Sequence, residues 1–451
     1  MQILNTIYNG ISAFTSWAWS LPILIVLIGG GIWLTIACDF IQFKHFGTMM
    51  KMTAGESLKK KTSTDGNTIT GFQALTTALA ATLGTGNIVG VGTAIATGGP
   101  GAVFWMWVIG MVAMALKYAE ATLSVHTRIP DGKGGYKGGA PHYLATIWKP
   151  MGFVWALCMT VNMLIAAGVH TGSVVSAGAS LSVPTMVSTG IVAVLVAAIM
   201  LGGLTMLVKV TEKLVPFMAL LYVGAGLIVI VLNIGNLIPA IASIFTGAFT
   251  GSAAVGGFLG ATVSAAIKNG CARGMYSSDA GNGQSSMVYA QTDVDDPVKQ
   301  GMWGAFEVFV DTIVVCTFTA LVILCTGVWT TGDPGSVLAI NAFTQSLGIV
   351  GRIISALGLL LFAGSTLLAF CTYAGMIAEE LFGKIARYVV QVVFVIMTVV
   401  GGTVGVDSML LWSDFGNVFT ISLNVLGMLI MTKTLHNLTV SFFKTGRSTL
   451  N

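Results

Sequence analysis

Apolar runs of about 20 residues, the length a helix needs to cross a bilayer core of about 30 Å, recur along the whole chain with short polar segments between them. Eleven segments fit, near 20–38, 70–97, 102–126, 152–181, 187–206, 212–235, 256–290, 302–329, 348–382, 387–404 and 409–433. The fourth, seventh and ninth are long enough to be tilted or interrupted. Residues 1–19, with Tyr8, Phe14, Trp17 and Trp19, read as a short amphipathic lead-in at the membrane interface. The pattern predicts an all-α integral membrane protein with eleven transmembrane helices.

Composition explains why no soluble fold competes. Only 8% of the 451 residues are charged and 55% are hydrophobic, with a mean hydropathy of +0.87. Soluble chains carry about 25% charged residues, so most of this surface faces something other than water. Disorder, a fibrous repeat and an ordinary cytosolic enzyme are excluded. The basic residues are too few and scattered for a nucleic-acid footprint. Six cysteines, at 38, 158, 271, 316, 325 and 371, lie mostly in apolar runs without CxxC spacing, and read as small buried hydrophobes. No basic stretch precedes the first apolar run, so no cleaved leader is expected.

The charges also orient the chain. Lys44, Lys51, Lys59, Lys60 and Lys61 follow span 1; Arg128, Lys133, Lys137 and Lys149 follow span 3; Lys209 and Lys213 follow span 5. Lys299, then Lys384 and Arg387, then Lys433, Lys444 and Arg447 follow spans 7, 9 and 11. The alternate loops, near 98–101, 182–186, 236–255, 330–347 and 405–408, carry no Lys or Arg. Thus 17 of 21 basic residues fall on one side, which the positive-inside rule makes cytoplasmic. A plasma-membrane protein with its N-terminus outside and its C-terminus in the cytoplasm is expected. Of the remaining four, Lys117 sits an i,i+3 step before Glu120, a pair that can neutralise itself. Arg352 lies at an outer end, where snorkelling is easy. Lys268 and Arg273 fall inside span 7, where charge is expensive and faces a cavity.

Two spans are poor continuous helices. Span 2 reads Leu83-Gly84-Thr85-Gly86-Asn87-Ile88-Val89-Gly90-Val91-Gly92 near its middle. Small residues for close helix contact account for some of these glycines. They do not account for Thr85 and Asn87, whereas an unwound turn accounts for both. Span 7 carries Arg273-Gly274-Met275-Tyr276-Ser277-Ser278-Asp279-Ala280-Gly281-Asn282-Gly283-Gln284, a polar load that no lipid-facing helix tolerates. These are the first spans of two successive groups of five, spans 2–6 and 7–11, the mark of an inverted-repeat transporter. The implied divisions are 1–69 for the peripheral helix and its loop, 70–235 and 236–435 for the two repeats, and 436–451 for a cytoplasmic tail. Half-helix N-termini receive a carboxylate, while half-helix C-termini and free carbonyls suit Na⁺ or an ammonium group. Phe362-Ala363-Gly364-Ser365-Thr366 on span 9 adds hydroxyls.

These motifs carry a resemblance. The run from Gly84-Thr85-Gly86-Asn87-Ile88 through Gly98-Gly99-Pro100-Gly101, the Lys117-Tyr118-Ala119-Glu120 step, Asp131-Gly132-Lys133-Gly134-Gly135, Asp296-Pro297-Val298-Lys299-Gln300-Gly301 with Asp311-Thr312, and Phe362–Thr366 together resemble the alanine or glycine:cation symporter family over nearly the whole chain. The resemblance implies a LeuT-type five-plus-five inverted-repeat core formed by spans 2–11, with span 1 as an extra N-terminal helix. It implies that Gly84, Thr85 and Gly86 hold a substrate carboxylate and that Asn87 braces the break. The substrate ammonium would face span 7 near Met275, Tyr276 and Ser277. The carbonyls of Ala80, Leu83 and Phe362 would form a sodium site with the hydroxyls of Ser365 and Thr366. Ser278-Asp279-Ala280-Gly281 departs from the family's Asn-Glu-Ala-Gly, and Phe370 stands where a Trp is usual, so Asp279 and Phe370 are expected to join these residues around the substrate and to bear on its choice. No Gln lies between 150 and 190, which leaves His170 as the nearest polar candidate on span 4. It is either a helix–helix hydrogen-bonder or a substrate contact.

The function expected is Na⁺-coupled import of a small neutral amino acid, alanine or glycine foremost, by alternating access, working as a monomer in the lipid bilayer. Proton coupling in the same fold, or a larger neutral substrate such as glutamine, are the rivals. An enzyme is not expected: no HExxH or paired-Asp motif is present, nor a GxxxxGK[ST] loop for an ATP-driven pump. A channel would present repeated pore helices from several subunits.

Overall fold

A computed structural model describes residues 2–20, 22–57, 68–250, 262–404 and 406–448. Among these residues the chain is almost wholly helical, with one two-stranded ribbon pairing Ile129–Pro130 antiparallel to Tyr136–Lys137. Eight helices are long and apolar enough to cross a membrane. A ninth span forms if the pair Gly71–Thr82 and Thr85–Gly98, bent by 67° at its junction, counts as one. The surface is inverted relative to a soluble protein. Leu201, Ile238 and Ile385 are each about 80% exposed, while Lys117, Glu120, Glu307 and Asp311 are wholly buried.

This count differs from eleven for two physical reasons. Residues 187–206 and 212–235 run together in Thr185–Leu232, and the division falls at Gly203, whose φ of +57° only glycine adopts easily. A straight helix of that length would reach about 72 Å, more than twice the bilayer core. Within 256–290, the described helix Val263–Ser278 is too polar to pass as a span, and 251–261 lie outside the described residues. Gly348 (φ +60°) divides Gly335–Phe382 in the same way as Gly203.

Two stretches read as loops are helical. Leu237–Thr250 lies within 236–255, and 335–347 forms the first part of the Gly335–Phe382 helix. The former is too short to cross a bilayer and packs Gly247 backbone to backbone on Gly101. The lead-in is the helix Gln2–Ser20, the first span is Pro22–Ala37, and most of the expected tail is the helix Thr432–Thr445. Lys59, Lys60 and Lys61 lie outside the described residues.

Local chemistry starts the site-bearing helices. Thr70 and Gln73 form a capping box at Gly71–Thr82, with side chain to backbone bonds of 3.2 and 3.0 Å. Asp296 caps Pro297–Val308 through the Val298 N–H. Among the described residues the one fully buried Lys is held between two acids. Lys117 Nζ lies 3.7 Å from both Glu120 and Glu307, so the pair read within one helix is a triad across two. Glu120 also accepts from the Gly283 N–H and from Asn424, which fixes the far side of the span 7 break to the helices that carry Glu120 and Asn424.

Candidate functional site

The first break is built from Leu83 to Ile88. The helix ends at Thr82; Leu83 leaves helical geometry with ψ +86°, a 3₁₀ turn covers Thr85–Asn87, and helix resumes at Val89. A 3₁₀ turn of three residues leaves its first N–H groups without intrahelical acceptors, and Thr85 and Gly86 are those residues. The Asn87 side chain closes the turn by accepting the Gly84 N–H at 3.0 Å. Its Nδ2 donates to Asp311 Oδ1 at 2.8 Å and to Ser277 Oγ at 3.0 Å. Asn87 therefore braces the break from below and does not face the cavity.

The second break starts one turn later than the sequence suggests. Helix continues to Ser278, and Asp279 stops it in the left-handed region, followed by Gly281 and Gly283 at φ +85° and +87°. The Met275 carbonyl is consequently occupied, by the Asp279 N–H (3.1 Å) and the Ser278 hydroxyl (3.2 Å). Its side chain lines a separate small cavity with Trp19 and Leu27. Met275 is thus not brought to the pocket, and Ser277 turns its hydroxyl to Asp311 (2.7 Å) rather than into it.

The two breaks meet at Gly86. A Cβ on this residue would stand 3.0 Å from Ser277 Cα and 3.4 Å from both Ser277 N and the Tyr276 ring. Between them lies a cavity of about 40 Å³ lined by Gly84, Thr85, Gly86, His170, Tyr276, Asp279 and Phe370, seven of the ten residues expected to line it. The His170 and Phe370 rings meet edge to face at 5.5 Å. His170 Nδ1 is buried and has no hydrogen-bond partner. Buried polar atoms are nearly always paired, so an unpaired ring nitrogen at a cavity wall points to a ligand.

The sequence reading missed the opposite wall. Asn162, Asn282, Gln284, Ser413 and Asn417 also line the cavity. Asn162 Nδ2 donates to Asn417 Oδ1 at 2.6 Å, Asn282 Nδ2 reaches the same oxygen at 3.2 Å, and Gln284 bonds Asp279. Asn162, rather than His170 alone, supplies the polar side chain of span 4. The signal was available: positions 162, 166, 169 and 170 share one helical face and all line the cavity.

Of the expected sodium ligands, Phe362, Ser365 and Thr366 are joined to one another by hydrogen bonds and Thr366 stands beside the first break. Ala80, Leu83, Phe362, Ser365 and Thr366 are all buried to 1% exposure or less. Thr366 Oγ1 would lie 2.9 Å from a Cβ at Gly84, so the hydroxyl abuts the first break. Ser365 and Thr366 both donate to the Phe362 carbonyl, at 2.9 and 3.1 Å. With their protons directed to that carbonyl, their lone pairs are free to meet a cation. Carbonyl and hydroxyl oxygens are the donor set that hard, singly charged cations take. Asp311, quoted above only as part of a family motif, also gains a role. It lies in the π-helical segment Phe309–Val315 and accepts from Asn87, Ser277 and Thr312, tying both breaks to one helix.

Above the pocket lies a vestibule of about 780 Å³, with Thr85, Val169 and Tyr276 shared by the two cavities as its floor. It opens at the end of the molecule that carries the 181–184 turn and the 335–348 helix. At the opposite end, Arg128 bonds the carbonyls of Ala290, Thr292 and Val294, and stacks on Tyr136. His142 pairs with Glu380 there, and Ser448 bonds Asp296.

Comparison with known proteins gives this geometry its context. The profile of the sodium:alanine symporter family matches residues 4–451. The chain is 36% identical over 440 residues to a protein of Bacillus subtilis named uncharacterized transporter YflA, covering 96% of this chain and 93% of that one. It is 35% identical over 435 residues to the sodium/alanine symporter AgcS of Methanococcus maripaludis, covering 93% and 94%. Among solved structures, a Na⁺-coupled sialic acid symporter in a substrate-bound outward-open state superposes with a TM-score of 0.55 at 13% identity, covering 95% of this chain and 93% of that one. The structural neighbours are LeuT-fold transporters, so the chain is a helical, multi-pass membrane protein with that type of fold.

Proposed function

The chain belongs to the sodium:alanine symporter family, and we propose that it is a secondary transporter importing a small neutral amino acid together with Na⁺. The observation that carries this reading is the meeting of two interrupted helices around a small cavity lined in part by His170, whose buried Nδ1 has no hydrogen-bond partner. The free N–H groups of Thr85 and Gly86 take the carboxylate. The C-terminal carbonyls of the Val263–Ser278 helix, with Asp279 and the Asn162–Asn417 wall, take the ammonium. Na⁺ sits in the seam between Ala80, Leu83, Phe362, Ser365 and Thr366, where it neutralises carbonyl ends and ties the first break to Gly335–Phe382.

In this reading the polypeptide counts eleven spans, Thr185–Leu232 being two joined at Gly203 and 256–290 being one interrupted span. The units 70–235 and 236–435 are inverted repeats, and the vestibule faces the outside. Cation entry supplies about 2.3 kcal/mol per 100 mV, roughly a fifty-fold accumulation per Na⁺ from the electrical part alone. Coupling follows if Na⁺ favours the state in which the first break is braced, because a ligand shifts conformers only through differential affinity.

The size of the pocket favours alanine or glycine over glutamine. A water needs about 10–15 Å³ of cavity, so about 40 Å³ holds only a few waters and suits a short side chain better than a long one. Sodium is favoured over a proton because the Thr366 hydroxyl, with Ser365 beside it, stands at the break and, among the described residues, no Lys lies on span 6 at mid-membrane to replace a cation there. A thermal-shift screen of amino acids with and without Na⁺ tests the reading. Stabilisation by alanine or glycine that needs Na⁺ supports it; equal stabilisation in choline overturns the sodium assignment.

A further inference from the structure

One charged cluster has no task in the transport site just described. Lys117 and Glu120 stand on Gly101–His126 and Glu307 on Pro297–Val308, and all three are wholly buried. Each carboxylate uses one oxygen and leaves the other idle. Glu120 Oε1 accepts the Gly283 N–H at 3.0 Å and Asn424 Nδ2 at 2.8 Å, and Glu307 Oε2 accepts the Tyr289 hydroxyl. Glu120 Oε2 and Glu307 Oε1 are buried without a hydrogen-bond partner. These two oxygens are the ones that face Lys117 Nζ, each at 3.7 Å, while Nζ itself reaches Ser285 Oγ at 3.4 Å.

The charges do not balance. One ammonium stands against two carboxylates, and among the described residues no second basic side chain pairs with either acid. The other ionisable groups around the cluster are acids and phenols. Asp279 and Asp311 both act on Lys117, and Tyr143, Tyr289 and Tyr373 face Glu120 or Glu307. An uncompensated charge in a dry interior is expensive, and buried polar atoms are nearly always paired. A proton answers both demands, because a protonated carboxyl loses its charge and gains an O–H donor. It belongs on Glu307. Glu120 already accepts two N–H groups, which favour a carboxylate, whereas Glu307 meets a single hydroxyl.

We propose that Glu307 is a proton-binding site, neutral beside the Lys117–Glu120 pair while the pocket is empty, and that amino-acid binding releases this proton to water. The path between the two sites is short. Glu120 holds the Gly283 N–H, and Asn424, which bonds Glu120, also holds the Gly281 carbonyl at 2.9 Å. Both glycines belong to the second break, whose Asp279 lines the pocket and acts on Lys117. A substrate ammonium beside Asp279 adds a positive charge to this group of ions, which favours the ionised form of Glu307. Linkage is reciprocal, so amino-acid affinity rises as increasing pH removes the proton.

The link to binding rests on the proposed amino-acid pocket, the proton site does not, and two measurements on the purified full chain separate them. The first is calorimetric titration with L-alanine in Na⁺, run in phosphate and in Tris, whose different ionisation heats count the protons released. The wild type releases a fraction of a proton per alanine, and its affinity rises about threefold or more from about pH 6 to about pH 8. Glu307→Gln keeps an oxygen for Tyr289, abolishes the release and flattens the profile. Glu120→Gln does the same, because Lys117 then balances Glu307 alone. Release that persists in Glu307→Gln assigns the proton to another group, such as His170 or Asp311, and overturns the proposal. A wild type that binds alanine without releasing a proton overturns the link. The second measurement is the melting temperature without alanine over the same pH range. A proton held only by the folded chain stabilises at low pH, and that stability is lost as pH rises through its release. The wild type therefore falls relative to Glu307→Gln as pH rises; a difference that does not vary with pH overturns the proton site. A wild type that binds no alanine, with a pH-dependent melting difference, overturns the transport reading and leaves the proton site standing.

Discussion

Gly86 is the position where adding one methyl group does most. The Cβ of an alanine there would press on Ser277 Cα at 3.0 Å and on Ser277 N and the Tyr276 ring at 3.4 Å. Two of those three neighbours are backbone, so relief requires the two breaks to separate by a few tenths of an ångström. Overpacking of this kind costs about 1–3 kcal/mol. If the cost falls only on the state in which the breaks touch, substrate affinity drops by roughly 5- to 150-fold at about 1.4 kcal/mol per decade. If it falls on every state, it emerges as lower thermal stability instead. Gly364→Ala is the matched control: its added Cβ meets nothing within 4 Å, and it lies inside the Gly335–Phe382 helix. There alanine gains up to about 1 kcal/mol of helix propensity. The assay is substrate affinity and melting temperature, measured side by side for both variants. A Gly86→Ala protein that matches the wild type in both would refute the argument that glycine is needed for the close approach of the two breaks.

Three further outcomes are expected. Ser365→Ala with Thr366→Ala removes two oxygens at about 1–3 kcal/mol each, so the Na⁺ concentration for half-maximal uptake rises tenfold or more while expression holds. Lys117→Met leaves Glu120 and Glu307 buried without their cation, a loss of about 3–5 kcal/mol that appears in the melting temperature, and adding Glu120→Gln and Glu307→Gln restores part of it. His170→Leu leaves the melting temperature unchanged or higher, because its Nδ1 has no protein partner to lose, yet lowers substrate affinity; a marked fall in stability would assign His170 a packing role instead.

The fold was legible where polarity interrupts hydrophobicity. Gly84–Asn87 and Asp279–Gly283 violate the rules for a membrane helix, and both turn out to be breaks in the structure. The seam was legible too, since Ser365 and Thr366 are hydroxyls in an otherwise apolar helix and Thr366 abuts Gly84. What hydropathy delivered unevenly was the division of long helices. Near Gly203 the polar run Lys209–Lys213 placed the division within a few residues of the turn, whereas at Gly348 a positive φ turns the chain with no such signal and the helix before it reads as loop. The exact end of the second break was equally hidden. Helix persists through Tyr276–Ser278, which moved Met275 away from the cavity. Asn162 and the role of Asp311 escaped for another reason: single polar residues in long apolar helices gain meaning only when partners from distant segments, Asn417 for one and Asn87 with Ser277 for the other, come into view.

The central claim is that cation binding at the seam drives amino-acid uptake. The direct measurement is uptake of radiolabelled alanine and glycine into proteoliposomes under an inward Na⁺ gradient and an inside-negative potential, repeated with choline replacing Na⁺ at constant pH. The account predicts concentrative uptake of at least one of the two in Na⁺, reduced to the rate of empty liposomes in choline. Undiminished concentrative uptake in choline would contradict it.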